Sequence, residues 1–286
     1  MQGITTQYPI AEDHALLWKP GRLDGISLFK ARFSRFAFKK HVHQEFAIGV
    51  IEYGVQKFNH LGNQYFAAPK TIITVNPDEV HDGMAAVKDG YQYRMVYISP
   101  RKIQEMVTGL SGSRYRLGYF KTPVHFDDSI AKRLHHAFLL MEKDKQNDLE
   151  SHTCLAQAIS DLFLCYGDRK PSSSFPLKDK YIVRRACEYI LSKLTQNISL
   201  EEIAGSVGLS RYHFLRVFKN TTGMPPHAYL ILKRTELAKK ALENGCSIAE
   251  AAIKSGFSDQ SHMTRCFKAV YGLPPGRYRK SLFNQK

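Results

Sequence analysis

The chain has 286 residues, 43% of them hydrophobic, and carries a formal net charge of +15. This length suits about two domains, and the composition is that of a globular protein with a buried core. The chain contains no apolar run near the roughly 18 residues of a membrane span, no secretory signal, and no C-x-x-C pair among its five cysteines. We therefore exclude a membrane partner and a disulfide framework, and we expect a cytoplasmic protein.

The positive charge is concentrated toward the C-terminus. Residues 175–286 contain 19 Lys and Arg against 8 Asp and Glu, a net charge of +11, whereas the preceding residues carry only +4. A strongly basic region of this kind indicates a polyanionic partner such as a nucleic acid.

Residues 26–98 are predicted to be rich in β-strands. Short runs of aromatic and β-branched residues alternate there with turn signals that contain glycine, proline or Asp-Gly. Several short strands at this spacing are typical of a barrel or a sandwich. Four side chains alternate along the last predicted strand and are expected to face the core: Tyr91, Tyr93, Met95 and Tyr97.

Four side chains of this region have the chemistry of a ligand or metal site: His41, His43, Glu45 and His81. The first three alternate along a predicted strand and so share a face. Two such histidines, a carboxylate and a third histidine could bind Zn²⁺ or Fe²⁺, line a pocket for an organic effector, or serve as structural residues. We expect the effector pocket, with Arg94 as a candidate partner for an effector carboxylate, and no metal or other cofactor.

From about residue 128 the apolar side chains recur at the 3.6-residue spacing of a helix. The pattern predicts two helices, at about 128–145 and 149–166, joined by a polar turn. Residues 167–179 then combine one glycine, two prolines and three serines, which indicates a linker. The predicted organisation is therefore an N-terminal domain at 1–166, this linker, and a C-terminal domain at 180–286.

Residues 199–229 and 247–278 are two versions of one segment. The offset between equivalent residues is 48 at Gly208 and Gly256, and it becomes 49 beyond them. A helix predicted at about 226–244 joins the two copies and would be about 28 Å long. Two recognition helices held by it could enter successive major-groove turns, which lie about 34 Å apart.

Each copy carries the signals of a helix-turn-helix unit. A capping box opens the first helix, and a glycine that tolerates a left-handed backbone ends it. A serine N-cap opens the second helix, another glycine closes it, and a Pro-Pro pair starts the next helix. The equivalent residues are, in this order, Ser199 and Ser247, Glu202 and Glu250, Gly208 and Gly256, Ser210 and Ser258, and Gly223 and Gly272.

The polar face of each second helix is predicted to read base edges, because Arg can bond guanine, Gln can bond adenine, and Thr or Leu can touch the thymine methyl group. The predicted base contacts are Tyr212, His213, Leu215 and Arg216 in the first unit and Gln260, Ser261, Thr264 and Arg265 in the second. Contacts to the DNA backbone set register and affinity rather than sequence preference. They are assigned to Lys219, Lys268, Arg277, Arg279 and Lys280.

The tandem resembles the C-terminal domain of the arabinose-regulator (AraC/XylS) family of bacterial transcription factors, over about 110 residues. One departure is Leu215, where family members often place a polar base-reading residue. The matching residues are Ile203-Ala204, Gly208, Ser210, Phe218-Lys219, Gly223, Pro225-Pro226, Ala252, Gly256-Phe257, Gln260, Arg265, Phe267-Lys268, Gly272 and Pro274-Pro275.

The N-terminal region is similar to the cupin barrel of the same family, from His41 and His43 through Gly54, Gly62 and Pro69 to Pro77-x-x-x-His81. In the enzyme relatives of that barrel the carboxylate follows the second histidine at a greater distance than Glu45 does. The resemblance implies that the two helices after the barrel form the contact of a homodimer. The predicted fold is multidomain α+β, with a cupin-like β-barrel, a two-helix dimerisation segment and an all-α tandem helix-turn-helix.

The predicted function is that of a sequence-specific transcription regulator without catalytic activity. It would respond to a small-molecule effector, bind double-stranded promoter DNA as a homodimer, and contact RNA polymerase. Two alternatives remain open from the residues alone. One is a metal-dependent cupin enzyme with a DNA-binding appendage, and the other is a nucleoid-type protein that binds DNA without sequence preference.

Overall fold

The computed structural model describes residues 13–19, 25–111, 117–143, 149–168 and 177–283. Within these ranges a β-rich N-terminal domain is followed by a helical C-terminal domain, which confirms the predicted multidomain α+β class. No helix in them is both long and apolar enough to cross a membrane.

The N-terminal domain is built from two main antiparallel sheets. Its strands are β1 (His14–Trp18), β2 (Ile26–Phe33), β3 (Phe38–His41), β4 (Phe46–Gly54), β5 (Gln56–His60), β6 (Asn63–Ala67), β7 (Ile72–Val75), β8 (His81–Ala85), β9 (Tyr91–Ile98), β10 (Tyr119–Phe120), β11 (Val124–His125) and β12 (Gly167–Asp168). The larger sheet has the order β1-β2-β9-β4-β7-β11 and the smaller has the order β3-β8-β5-β6, while β10 pairs with β12.

The two sheets pack face to face. Tyr91, Tyr93 and Met95 of the larger sheet share a buried cluster with Phe38 and Phe58 of the smaller one, which confirms the predicted core face of β9. The barrel expected from the sequence does not close among the described strands, because the hydrogen-bonded ladders end at β1 and β11 in one sheet and at β3 and β6 in the other. The domain is therefore a two-sheet sandwich in this region.

Three helices cover the outer face of the larger sheet: α1 (Pro100–Ser111), α2 (Asp128–Lys143) and α3 (Leu149–Tyr166). The last two are the predicted helices 128–145 and 149–166, and residues 144–148 lie outside the described ranges. Their apolar faces form one buried cluster with Ile48, Val96 and Ile98 of the sheet. β1 and α1 were not predicted from the sequence.

The C-terminal domain contains seven helices within the described residues. They are α4 (Leu177–Ser192), α5 (Leu200–Ser206), α6 (Arg211–Thr222), α7 (Pro226–Glu243), α8 (Ile248–Lys254), α9 (Gln260–Tyr271) and α10 (Pro275–Phe283). α5 and α6 form the first helix-turn-helix unit, and α8 and α9 form the second. The predicted linker lies mostly at 169–176, which is outside the described ranges.

The predicted helix ends are found with one correction. Both capping boxes form, at Ser199 and at Ser247. Ser210 is the N-cap of α6, but the N-cap of α9 is Asp259 rather than Ser258, and its carboxylate accepts a hydrogen bond from the His262 amide at 2.6 Å. The cap therefore lies three residues beyond Gly256 but only two beyond Gly208, which explains why the repeat offset changes from 48 to 49.

The turn at residues 193–197 fastens the two units to each other. Arg234 of α7 is buried and donates hydrogen bonds to the carbonyls of Leu194 and Gln196, at 2.8 and 2.7 Å. A Cβ atom placed on Gly256 of the second unit would lie 2.7 Å from the Cα of Thr195 in the same turn. The tandem is thus a single packed body rather than two units on a flexible tether.

The two domains also share buried side chains. Phe29 and Phe38 of the sandwich belong to the same cluster as Leu242, Phe267 and Tyr278 of the C-terminal domain. A second contact joins Val42 and Val80 to Met224 and Leu232. Fully burying a side chain of this size contributes about 1.5–3 kcal/mol. The sandwich is therefore docked on both helix-turn-helix units.

Candidate functional site

Each recognition helix buries one face and leaves the other at the surface. Phe214 and Phe218 of α6, and Met263 and Phe267 of α9, are all fully buried. The opposite faces carry the residues predicted to read bases. Tyr212, His213, Arg216, Gln260, Ser261 and Arg265 are exposed, and Leu215 and Thr264 are half-buried. The structure thus places all eight predicted base contacts on the accessible faces of the two recognition helices.

The residues predicted to contact the DNA backbone lie near the ends of these helices. Lys219 and Lys268 are exposed in the last turns of α6 and α9, and Arg277 and Lys280 are exposed on α10. Arg279 is half-buried on α10 and makes further contacts of its own. The basic residues therefore flank the exposed faces of α6 and α9 that were predicted to read bases.

Three histidines cluster where the sandwich faces the C-terminal domain. The ring centroid of His81 lies 4.2 Å from that of His41 and 4.8 Å from that of His43. Each ring places Nδ1 against a backbone carbonyl, at 2.7 Å for His41, 2.6 Å for His43 and 2.9 Å for His81. A carbonyl oxygen only accepts, so each Nδ1 carries the proton and each Nε2 keeps its lone pair.

The three imidazoles are neutral. Burial lowers the pKa of His41 to about 4 and also lowers the pKa of His43. The pKa of His81 is well below its usual range, first because of burial and then because of the two neighbouring histidines. In the described parts of the chain, no group of three or more His, Cys, Asp or Glu side chains is arranged to hold a metal ion.

A cleft opens between the histidine cluster and the C-terminal domain, and it encloses about 560 Å³ including the part open to solvent. The sandwich contributes His41, His43, Glu45, Phe29 and Tyr97 to its walls. The C-terminal domain contributes Lys239 of α7, Tyr271 of α9 and Tyr278 of α10. This cleft therefore has walls from both domains.

The polar groups of the cleft are incompletely paired. The Nε2 atom of His43 is buried and has no hydrogen-bond partner among the described residues. Lys239 lies 3.7 Å from the Glu45 carboxylate and 5.3 Å from the centroid of the Tyr271 ring. The pKa of Glu45 is lowered, since Lys239 and His43 outweigh the burial that acts to raise it. The cleft thus presents an ionised carboxylate and an unused imidazole lone pair.

Arg94 does not belong to this site. Its guanidinium bonds Glu52 at 2.5 Å and also pairs with Glu142 of α2, on the outer face of the larger sheet. The prediction that it pairs with an effector is therefore corrected: Arg94 fastens α2 to the sheet. Lys239, Tyr271 and Tyr278 were missed, because nothing in the sequence indicates that helices of the C-terminal domain line the cleft.

Comparisons with known proteins agree with this two-domain architecture. The family model described as "AraC-like ligand binding domain" matches residues 25–159, and the one described as "Helix-turn-helix domain" matches residues 203–281. The first match contains the strands from β2 to β11, the histidine cluster, α1, α2 and most of α3. The second contains both helix-turn-helix units, from within α5 to within α10.

Relatives extend the likeness across most of the chain. The chain is 31% identical to the uncharacterized HTH-type transcriptional regulator YbfI of Bacillus subtilis, over 79% of this chain and 81% of that protein. It is 33% identical to the multiple antibiotic resistance protein MarA of Escherichia coli, over 35% of this chain and 80% of that protein.

A solved structure shares the fold of the whole molecule. ToxT from Vibrio cholerae superposes with a TM-score of 0.55 over 91% of this chain and 99% of that chain, at 14% sequence identity. The two family models and the relatives confirm the family that the tandem repeat indicated. The chain belongs to the AraC/XylS family, as a DNA-binding transcription regulator with an effector-responsive N-terminal domain.

Proposed function

We propose that both helix-turn-helix units read one DNA site, in successive turns of the major groove. The observation that carries this proposal is the rigid connection between them. α7 has 18 residues and is about 27 Å long, and Arg234 clamps it to the turn that also contacts the second unit. The length of this connector is comparable to the spacing of about 34 Å between successive major-groove turns.

We further propose that the base contacts are those placed on the accessible faces of α6 and α9. Arg216 supplies the main hydrogen-bonding group of the first unit, beside Tyr212 and Leu215. Gln260, Thr264 and Arg265 supply three such groups in the second unit, so the second unit is expected to have the sharper sequence preference. Selecting binding sites from random DNA tests this, and equal binding to selected and scrambled duplexes would favour the alternative of a non-specific binder.

Lys268→Ala is expected to weaken binding to every sequence by the same factor. The reason is that a phosphate contact releases counterions without reading bases, so its loss reduces the slope of log K against log salt concentration by about one unit. Fluorescence anisotropy across a salt series measures the slope. The control is Lys70→Ala, which removes an exposed lysine of the N-terminal domain. This variant should keep the wild-type slope. A Lys268→Ala variant with altered base preference would contradict the assignment.

We infer that the effector binds in the cleft between the domains. His43 Nε2 is a buried acceptor without a partner among the described residues, and beside it lies the Glu45 carboxylate, which is paired with Lys239. Leu17, Val42 and Leu273 offer apolar surface next to them. The cleft therefore favours a molecule with hydroxyl or amine donors and an apolar face. Because Lys239 and Tyr271 lie in the C-terminal domain, such a ligand would favour one docking arrangement of the two domains over others.

His43→Phe is expected to abolish effector binding while leaving DNA binding in the absence of effector intact. The substitution removes the unpaired acceptor and fills part of the cleft. A thermal-shift screen of small metabolites against the wild-type protein identifies the ligand. At a concentration of one hundred times its Kd, the ligand should raise the free energy of unfolding of the wild-type protein by about 2.7 kcal/mol. His227→Phe changes an exposed histidine of α7 and is the matched control. A ligand that stabilises the His43→Phe variant equally well would exclude this cleft.

The remaining partners are proposed from the family. We propose a homodimer through α2 and α3, which pairs two DNA-reading bodies and so raises their effective concentration on DNA. Sedimentation equilibrium tests this oligomeric state.

RNA polymerase is proposed as the protein partner, and a cytoplasmic location follows from that role. Domain boundaries at 1–166, 167–179 and 180–286 are retained as proposals. The enzyme alternative has no support from the described residues, and metal analysis of the purified protein tests it.

A further inference from the structure

Strand β3 lies between the two helix-turn-helix units and carries two exposed lysines. Phe38 and His41, at its ends, are buried, whereas Lys39 and Lys40 are exposed. The strand is at the edge of the smaller sheet and packs against α9. These two lysines therefore belong to the N-terminal domain but lie on the side that faces the DNA-reading tandem.

Lys39 lies next to the second unit. It is close enough to the Cys266 thiol of α9 to interact with it electrostatically, as Arg265 also does. Around it, the Nζ atom of Lys268 lies 5.8 Å from the centroid of the Phe36 ring. Phe38 is packed against Gly272, where an added Cβ would lie 3.0 Å from its ring. Two residues assigned to DNA contact, Arg265 and Lys268, are thus neighbours of this strand.

Lys40 faces the first unit. It lines an open cleft together with Lys219, Asn220 and Thr221 at the end of α6. The nearby contact of Val80 with Gly223 holds this part of the sandwich against that helix end, since an added Cβ on Gly223 would lie 3.1 Å from the Val80 side chain. One strand therefore places a lysine beside the backbone-contact residue of each unit.

These charges are available for a polyanion. Within the described residues, Lys39 and Lys40 form no ion pair with a carboxylate, and neither does the exposed Arg35 of the preceding loop. Two other lysines near the interface do have such partners, Lys233 with Glu236 and Lys239 with Glu45. Unpaired cations flanked by DNA-binding residues of both units have the chemistry of a phosphate-contact surface.

We propose that Lys39 and Lys40 contact the phosphate backbone of DNA between the two helix-turn-helix units, so that the N-terminal domain takes part directly in DNA binding. The inference rests on the proposed placement of both units on one DNA site. The strand leads into the effector cleft, and the ring of His41, which lines that cleft, bonds the carbonyl of Lys39 at 2.7 Å. The backbone of Lys39 is therefore bonded to a residue of the cleft wall.

The test is the salt dependence of DNA binding by the full chain carrying Lys39→Ala and Lys40→Ala together. The probe is a scrambled-sequence duplex of about four helical turns, because phosphate contacts do not depend on sequence. The slope of log K against log salt concentration should fall in magnitude by one to two units, since each contact contributes about 0.9. The double substitution Lys39→Arg with Lys40→Arg keeps the charge and should keep the slope.

Two controls make the outcome decisive. Lys70→Ala with Lys121→Ala removes the same charge from exposed positions before β7 and after β10, outside the proposed dimer helices, and should leave the slope unchanged. Amine acetylation followed by mass spectrometry, on free and DNA-bound wild-type protein, should show Lys39 and Lys40 protected by DNA. A wild-type slope in the double alanine variant, or equal acetylation in both states, overturns this proposal. If Lys268→Ala also leaves the slope unchanged, the proposed DNA surface itself is wrong.

Discussion

Gly256→Ala is expected to destabilise the C-terminal domain by about 2–5 kcal/mol. Gly256 has φ +78, so alanine there adopts a left-handed backbone at a cost of about 1–2 kcal/mol. The new Cβ would also lie 2.7 Å from the Cα of Thr195 and 3.1 Å from its carbonyl carbon. Because these are backbone atoms that Arg234 holds in place, the overlap is relieved only by separating the two units, at a further cost of about 1–3 kcal/mol.

The repeat itself supplies the control. Gly208 occupies the equivalent position of the first unit with φ +69, but no atom lies within 4 Å of a Cβ added there. Gly208→Ala should therefore cost only the backbone term of about 1–2 kcal/mol. Thermal unfolding followed by circular dichroism compares the two variants. Equal losses of stability in both would mean that the contact between Gly256 and Thr195 does not join the units in solution.

Arg265→Ala is expected to weaken binding to the selected site by about 1–3 kcal/mol and to relax the preference at one base position. Arg265 is exposed on α9, in the part of the helix that would enter the groove, and a guanidinium can bond guanine through two parallel hydrogen bonds. Its loss removes discrimination as well as affinity. The loss of both affinity and base preference distinguishes Arg265→Ala from Lys268→Ala, which should weaken binding to all sequences alike.

The measurement is binding of wild-type and Arg265→Ala proteins to a set of duplexes with every single-base change in the selected site. Arg216→Ala is the matched variant in the first unit and should relax a different position, about one helical turn away. The total loss for either variant corresponds to about a five- to 150-fold change in Kd. An unchanged base profile in Arg265→Ala would show that α9 enters the groove in another orientation.

The local architecture of the tandem was predictable because its signals act over a few residues. A capping box requires only Ser and Glu three residues apart, and both boxes form as predicted. Left-handed backbone at Gly208, Gly256, Gly223 and Gly272 was likewise readable from glycine alone. The error at the N-cap of α9 arose because Ser258 and Asp259 are both good N-cap residues. The repeat has one extra residue at this point, and its alignment does not show whether that residue lies before or after the cap.

The cleft between the domains was only half predictable. His41, His43 and Glu45 were expected to alternate along one strand, but β3 ends at His41, and His43 and Glu45 lie between β3 and β4. The three side chains nevertheless line one cleft, and His81 lies beside the two histidines. The same reasoning misassigned Arg94, since a strand buried on both faces also accommodates a charged residue when acidic partners reach it from another element. Glu52 and Glu142 do so here, and Glu142 lies 48 positions away from Arg94 along the chain.

By itself, the sequence determined the two helix-turn-helix units, the α+β class and the basic character of the C-terminal domain, because periodicity, capping and charge are local properties of a chain. Only the tertiary structure decided that the sandwich packs on both units, that Lys239 and Tyr271 complete the cleft, and that β3 brings two lysines beside α6 and α9. Those arrangements depend on which apolar faces of distant segments pack against one another. The spacing of residues within a single segment carries no information about that packing.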